Sequence, residues 1–435
     1  MEITDRTIQE GNRNQAVSKG NNGWVLPFYF FLFLQCTNCF YWLAIPHGYF
    51  GRLINIEVLL VFVYCFSSKN NVRKNAARTL SGKFIIFFYI CFFISAIPCY
   101  IYRGQSIFDS IKAVWPFSFI LFYFVFYNNH ISEEKLIKVF ITVALIKFSI
   151  LLIQQFTYPV FWFSAFKEGD INNYGNLYSI EIRSGVYRFL IGIMYIFYFV
   201  AFYLAFLYFS RSNKIKYIVL FGLIVIGIYF EQFRYNMACF LLCWIWMFFK
   251  KNRTKISYFQ ILIVIFLLYV LYSNFDTLFG ELKDKTEDDL SDDYIRILCY
   301  TFYLQEYWAG PMTILFGNGC PLGTSSYGQE VTYYEENFTF FRADVGIVGT
   351  VSIYGVLFLF ILILYMYRLY KNWKYIDLPY QAFLIWLVLM IPLYMPIHYS
   401  PDANLFLAGL LYLIDKSVER NKSLDMSPEV YDESC

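Results

Sequence analysis

The chain has 435 residues, of which 59% are hydrophobic and only 15% are charged. A soluble globular protein has about 45–50% apolar and about 25% charged residues, so both values indicate an integral membrane protein. The net charge of +3 is small and its basic residues are scattered, which argues against a nucleic-acid partner. The 50 Phe and 40 Tyr residues exclude a disordered chain.

The ten cysteines form no recognisable zinc module. Most of them lie inside apolar runs, where a cysteine acts as a small hydrophobic side chain. Cys36 and Cys39 have no second pair or histidine nearby. Cys299 and Cys320 fall in the longest polar stretch, and they can form one disulfide if that stretch faces an oxidising compartment.

Apolar stretches of about 20 residues cross a bilayer as helices. Marking such stretches, with short connections between them, predicts an all-α polytopic membrane protein with about twelve transmembrane helices. The predicted spans are 24–45, 52–67, 84–101, 113–128, 137–157, 188–209, 217–230, 235–249, 256–273, 343–367, 379–397 and 402–415.

The basic residues predict the orientation, because Lys and Arg in short connections stay on the cytoplasmic side. Most of the 35 basic residues fall in one alternating set of connections, which includes both termini. Both termini are therefore predicted to be cytoplasmic, and the other connections outer, or periplasmic. The expected organisation is a cytoplasmic N-tail (1–23), helices 1–5 (24–157), a medium outer loop (158–187), helices 6–9 (188–273), a large outer loop (274–342), helices 10–12 (343–415) and a cytoplasmic C-tail (416–435).

A few basic residues are left at the outer face or inside spans, where topology does not explain them. An ionisable side chain at membrane depth costs about 2.5–3.5 kcal/mol on insertion scales and usually lines a polar cavity. These residues are therefore the first candidates for a functional site. They are Lys147, Arg183, Arg188, Arg234, Arg296 and Arg342.

Arg234 lies in a turn between two unusually short spans. Each span has about 14–15 apolar residues, or roughly 21–23 Å of helix, against a hydrocarbon core of about 30 Å. The turn is therefore predicted to be recessed below the outer surface, with Glu231 and Arg234 together in a water-filled pocket. The alternative is an ion pair between Glu231 and Arg234 that only stabilises the turn.

Arg183 and Arg188 flank a short segment where the sixth span is predicted to begin. Two arginines near one membrane boundary suit an anionic lipid headgroup, because a guanidinium binds phosphate in a bidentate manner. The alternative is an arginine at a helix end that extends to the interface. Lys147 lies near the middle of its span and is expected to pair with an internal partner that the sequence does not name.

The order of spans and loops along the chain resembles that of the O-antigen polymerase and ligase superfamily, which contains Wzy-type polymerases and WaaL-type ligases. The resemblance rests on a medium loop ending in arginine, a short hairpin with arginine at its outer turn, and one large outer loop. Short motifs at 181–189, 294–296, 314–319, 336–349 and 354–355 are similar to those of the family, whereas residues 230–236 stand in place of its usual Ser-Arg pair. The large loop has no histidine, which favours a polymerase over a ligase.

The resemblance implies an inverting glycosyltransferase on the outer face of the bacterial cytoplasmic membrane. Its substrates would be polyprenyl-diphosphate-linked oligosaccharides, with no metal or other cofactor, and its partners would be membrane lipid and a chain-length regulator protein. The activated diphosphate replaces a nucleotide, and cations must meet the charge that develops on it. The implied diphosphate-binding residues are Arg183, Arg188, Arg234 and Arg296, and the implied proton acceptors are Glu231 or Asp344, with Glu336 as a further carboxylate near the outer face.

Two other functions fit the same set of spans, namely a ligase that moves finished glycan and a non-enzymatic flippase of lipid-linked glycan. A flippase is expected to carry charges along a cavity through both halves, whereas these charges lie beside one large loop, as a single-sided reaction site requires. Aromatic residues of that loop either stack on sugars or form an interfacial belt. They include Tyr303, Tyr307, Trp308, Tyr333 and Tyr334.

Overall fold

The computed structural model describes residues 23–36, 47–67, 76–158, 181–183, 186–188, 195–210, 215–231, 233–251, 295–395 and 401–426. These residues are mostly helical, with one two-stranded hairpin. Within them, four helical stretches are long and apolar enough to cross a membrane: Leu80–Arg103, Ile107–Asn128, Glu133–Thr157 and Arg342–Lys371. A helix satisfies all its own backbone groups, which is why such apolar runs form helices in a bilayer.

The helix bundle has two parts in sequence. The first is α1 (Val25–Cys36), α2 (His47–Ser67), α3 (Leu80–Arg103), α4 (Ile107–Val114), α5 (Phe122–Asn128) and α6 (Glu133–Thr157), followed by α7 (Tyr195–Ser210), α8 (Ile215–Glu231) and α9 (Arg234–Lys251). The second is α13 (Gly346–Lys371), α14 (Leu378–Met390) and α15 (Pro401–Met426).

Two smaller units accompany the bundle. Strands β1 (Glu181–Arg183) and β2 (Val186–Arg188) pair antiparallel. The outer unit, residues 295–345, contains α10 (Ile295–Thr301), a π-helical turn (Phe302–Glu306), α11 (Pro311–Phe316), α12 (Ser326–Phe338) and a 3₁₀ turn (Arg342–Val345).

Local capping residues decide several helix ends. The Thr79 hydroxyl accepts a hydrogen bond from the Gly82 N–H at 3.0 Å and starts α3. Gly104 ends α3 with φ of 68°, a left-handed conformation that glycine adopts without strain. The Ser106 hydroxyl then accepts from the Asp109 N–H at 3.0 Å and starts α4. The helical stretch predicted to begin at residue 113 therefore begins at Ile107.

Aromatic side chains make up much of the bundle core. Phe140 of α6 packs against Phe199 of α7 and Phe406 of α15, with ring centroids 5.4 and 5.0 Å apart. All three side chains are fully or almost fully buried. The sequence-distant halves of the bundle therefore share one core.

Contacts at the helix ends separate the two predicted sets of connections. At one end, which we call the inner end, Arg420 pairs with Glu133 at 2.6 Å and with Asp377, and Lys374 pairs with Asp425 at 2.9 Å. At the opposite, outer end lie the C-terminal ends of α3, α6 and α14, together with the outer unit. Three of the connections predicted to be cytoplasmic, 129–138, 368–375 and the C-tail, thus lie at the inner end.

Several predicted boundaries differ from the structure. The sixth span was predicted from residue 188, but Arg188 lies in strand β2 and the described helix begins at Tyr195. The span 379–397 ends at Met390, and α15 continues to Met426, well into the predicted C-tail. The predicted span 256–273 lies outside the described residues. Hydropathy marks apolar content, whereas hairpin pairing places Arg188 in a strand and the polar contacts of Arg420 accompany the extension of α15.

Candidate functional site

A buried ion pair joins α6 to the end of α8. Lys147 Nζ lies 2.8 Å from Glu231 Oε1, and the two side chains are only 2% and 3% exposed. The ammonium also lies 4.7 Å from the centre of the Phe197 ring. Lys147 therefore has the internal partner that its position in the span predicted.

The same pair shows how deep Glu231 lies. Lys147 precedes the end of α6 at Thr157 by ten residues, or roughly 15 Å of helix. The turn that follows Glu231 is therefore recessed below the outer end of α6. The water-filled pocket around Glu231 was wrong, because this carboxylate is buried against Lys147. The side chain of Arg234 lies outside the described part of the structure.

The hairpin that carries Arg183 and Arg188 is fixed to the outer end of α6. Gln155 donates from Nε2 to the Tyr187 carbonyl at 2.7 Å and accepts the Tyr187 N–H through Oε1 at 2.9 Å. The Tyr158 and Tyr187 rings lie 4.6 Å apart. Both arginines are therefore in strands and not at a helix end, and their side chains lie outside the described residues.

Three elements meet at residues 389–392, which we call the outer junction. The Tyr235 hydroxyl, next to Arg234, donates to the Leu389 carbonyl at 2.8 Å. The Ile347 N–H, three residues after Asp344, donates to the Ile391 carbonyl at 3.0 Å. The Tyr300 hydroxyl, one helical turn after Arg296, donates to the Pro392 carbonyl. The junction therefore draws together the chain segments of three predicted site residues.

Arg296 and Asp344 both influence the pKa of the Cys299 thiol. The pKa of the Cys299 thiol is raised to about 12, chiefly by burial; the Asp344 carboxylate also raises it, and the Arg296 guanidinium lowers it. Two predicted site residues from separate elements thus influence the pKa of one buried thiol. Asp344 is exposed and Arg296 is half-buried.

Arg103, at the end of α3, holds the outer unit to the bundle. Its guanidinium donates to Asn318 Oδ1 at 3.1 Å, to Glu330 Oε1 at 2.9 Å and to the Tyr307 carbonyl. It also stacks 4.7 Å from the Tyr307 ring and 5.2 Å from the Tyr327 ring. Arg103 is therefore a structural residue that charge counting in the sequence missed.

The aromatic residues of the outer unit divide into two groups. Tyr303 and Tyr307 are buried, and the Tyr307 hydroxyl lies 2.6 Å from that of Tyr327. These rings form the core of the outer unit and are not open to sugars. Tyr333 is exposed and Trp308 is half-buried, so these two remain candidates for stacking on a glycan.

Cys299 and Cys320 are not joined by a disulfide, and both thiols are buried. The Cys299 Sγ faces the Phe341 carbonyl at 3.6 Å, and the Cys320 Sγ faces the Ala113 carbonyl at 4.0 Å. Each thiol is thus packed into a different part of the molecule. Among the described residues, no three His, Cys, Asp or Glu side chains converge as metal ligands.

No protein-family model matches the chain, and no curated protein matches it at a significant level.

The structure shows the surroundings of three predicted site residues, Glu231, Asp344 and Arg296. Arg183, Arg188 and Arg234 lie in β1, β2 and α9, and their side chains are outside the described residues. Glu336 is exposed on α12. The residues that position the site were not found in the sequence, because tyrosines and glutamines are common and only their bonds to distant carbonyls distinguish them. They are Gln155, Tyr235 and Tyr300.

Proposed function

We propose that the protein is a bacterial surface polysaccharide polymerase, for O-antigen or capsule repeat units. It transfers glycan from a polyprenyl-diphosphate-linked donor to a lipid-linked acceptor oligosaccharide. The reaction takes place on the outer face of the cytoplasmic membrane. The proposal includes about twelve spans with both termini in the cytoplasm.

The outer junction is the observation that supports this proposal most directly. Tyr235 and Tyr300 bond to residues 389–392 from helices that begin with Arg234 and contain Arg296, and Ile347 does so from α13, which begins two residues after Asp344. Two cations and a carboxylate near one end of an apolar bundle suit a substrate whose diphosphate is at the interface and whose glycan is outside.

In the proposed reaction, an acceptor hydroxyl attacks the anomeric carbon of the donor glycan. The bond from that carbon to the diphosphate oxygen breaks, and the polyprenyl diphosphate leaves with the bonding electrons. Arg234 and Arg296 stabilise the charge on the leaving group, with Arg183 and Arg188 binding the same lipid at the hairpin. Asp344 accepts the hydroxyl proton, because it is exposed, whereas Glu231 is buried against Lys147.

The test is deletion of the gene in its host, followed by gel analysis of surface glycans. Complementation with the wild-type gene should restore a ladder of polymer. Arg296→Ala and Asp344→Asn should each leave single repeats, while Arg368→Ala should restore the full ladder. Arg368 is the matched control, because it lies near the inner end of α13. A full ladder from Arg296→Ala protein in the membrane would contradict the site.

The same gels separate the alternatives. A ligase defect would abolish surface-attached glycan while long lipid-linked chains accumulate. A flippase defect would trap single lipid-linked repeats on the cytoplasmic side. An unchanged ladder in the deletion strain would contradict all three functions.

A further inference from the structure

Helix α13 is broken within its membrane-crossing stretch. Gly355 has φ of 75° and ψ of 178°, so the helical hydrogen bonding is interrupted there. An interrupted helix frees carbonyl groups before the break, and such groups must find other donors where no water is available. A second segment of the chain supplies those donors.

That segment is residues 317–319, which directly follow α11. The Asn318 N–H donates to the Ser352 carbonyl at 2.9 Å, and the Gly319 N–H donates to the Ile353 carbonyl at 3.0 Å. The Asn318 side chain donates from Nδ2 to the Ser352 carbonyl at 3.2 Å. Residues 317–319 of the outer unit thus satisfy the backbone carbonyls that the break in α13 leaves without helical partners.

The glycines of this arrangement allow the two backbones to touch. A Cβ on Gly355 would lie 2.3 Å from the Leu315 carbonyl oxygen, and one on Gly317 would lie 2.0 Å from that of Ile353. Gly317 and Gly355 also have positive φ values, which side chains disfavour. The segment 311–319 therefore packs against α13 with the two backbones in direct contact.

This contact lies well below the outer end of the bundle. Gly355 follows the start of α13 at Gly346 by nine residues, or roughly 14 Å of helix. On α3, a Cβ on Gly319 would meet Cys99 at 2.6 Å and the Ser95 carbonyl at 3.2 Å. Ser95 and Cys99 precede the end of α3 by roughly 6–12 Å. Half of a hydrocarbon core is about 15 Å thick, so both helices place the segment at membrane depth.

The outward face of α11 is apolar. Met312, Ile314 and Leu315 are 39%, 46% and 49% exposed. Helix α3, against which α11 packs, carries an exposed apolar stripe with helical spacing that reaches this position. The stripe consists of Ile86, Ile90, Phe93, Ile97 and Ile101. The exposed apolar face of α11 therefore belongs to a helix packed on α3, whose own exposed stripe is apolar.

From this geometry we infer that residues 311–319 form a re-entrant segment, and that Met312, Ile314 and Leu315 contact the acyl chains of the outer leaflet. The sequence assigns these residues to a water-exposed loop. The inference concerns the position of the segment in the bilayer and stands independently of the proposed reaction. The remaining backbone at this depth is non-helical, which a membrane protein tolerates where it is buried in protein.

The test uses the full-length wild-type protein in bilayers that contain a phospholipid with a diazirine near the end of its acyl chain. After photolysis, adducts are located by mass spectrometry of the digested protein. Adducts on Met312–Leu315 should match those on Phe93 and Ile97 within about threefold, because all are at hydrocarbon depth. Gln329 and Asn337, exposed on the polar helix α12, should carry at least about tenfold fewer adducts.

A water-soluble diazirine reagent gives the reciprocal measurement. It should modify Gln329 and Asn337 strongly and α11 weakly. Lipid adducts on α11 as scarce as those on α12 would overturn the inference. So would protection of α11 from both reagents together with a dimeric mass of the purified protein in detergent, since a second copy would then cover this face.

Discussion

Lys147 and Glu231 carry opposite charges at a depth where either alone is costly. The sequence predicted that Lys147 has a partner, but assigned Glu231 to the neighbouring turn with Arg234. The true pairing joins α6 and α8 across 84 residues, which only the packing of the two helices determines. A charge in an apolar run thus indicates that a partner exists and not which residue it is.

Removing one member of this pair should strongly destabilise the protein. Lys147→Met leaves a buried carboxylate without its cation, and the expected loss is about 3–5 kcal/mol of unfolding free energy. The measurement is thermal unfolding in detergent. The control is Lys138→Met on the same helix, which breaks an exposed pair with Glu134 and should cost at most about 1 kcal/mol.

The reversed pair sharpens this test. Lys147→Glu combined with Glu231→Lys restores opposite charges and should recover part of the lost stability relative to either single variant. Equal melting temperatures for wild type and Lys147→Met would contradict a structural role for the pair.

Cys299 should be almost unreactive in the folded protein. With a pKa of about 12, only about one thiol in ten thousand is ionised at pH 8, whereas about a quarter is ionised at the unperturbed pKa of about 8.5. Because the pKa is raised, the alkylation rate should rise about tenfold per pH unit between pH 7 and 9 and stay far below that of unfolded protein. Mass spectrometry after iodoacetamide treatment measures this, and rapid labelling of folded protein at pH 7 would contradict it.

At the scale of elements, hydropathy found the helices but not their interruptions. The apolar pattern of 343–367 continues through Gly355, so the sequence predicted one continuous span. The break becomes stable only because residues 318 and 319 supply N–H groups to the freed carbonyls. The closely spaced glycines at 317 and 319 indicated a turn in the sequence. The sequence did not indicate that this turn contacts α13 at residues 352–355.

Gly355→Ala should therefore disrupt the contact between α13 and the outer unit. Alanine would have to adopt φ of 75° and place its Cβ 2.3 Å from the Leu315 carbonyl oxygen, at an expected cost of at least about 2 kcal/mol. The measurements are the unfolding free energy and protease sensitivity of residues 295–345.

Gly222→Ala is the matched control for that substitution. Gly222 lies in α8, and a Cβ there meets no atom within 4 Å. Alanine should be neutral or stabilise the helix by up to about 1 kcal/mol. Equal effects of the two substitutions would mean that Gly355 is replaceable in the interrupted helix.

At the scale of the whole molecule, the charge pattern separated the two ends of the bundle. Connections predicted to lie on one side meet through Arg420, Glu133 and Asp377, and the outer unit lies at the other end. The outer junction was beyond sequence reasoning, since it is made by backbone carbonyls of an apolar segment. Charges give the direction of each helix, while neutral hydrogen bonds fix which helices share a site.

The orientation itself can be tested with two epitope tags in the same chain. One tag follows Gly323, an exposed turn residue of the outer unit with no atom within 4 Å of an added Cβ, so an insertion there should be tolerated. The other is at the C-terminus, beyond α15, which carries Lys416, Arg420 and Lys422. In spheroplasts, antibody should bind the first tag without lysis and the second only after lysis, because the basic connections stay in the cytoplasm. Binding of the C-terminal tag to intact spheroplasts would reverse the bundle and place Arg296 and Asp344 on the wrong side for lipid-linked glycans of the outer face.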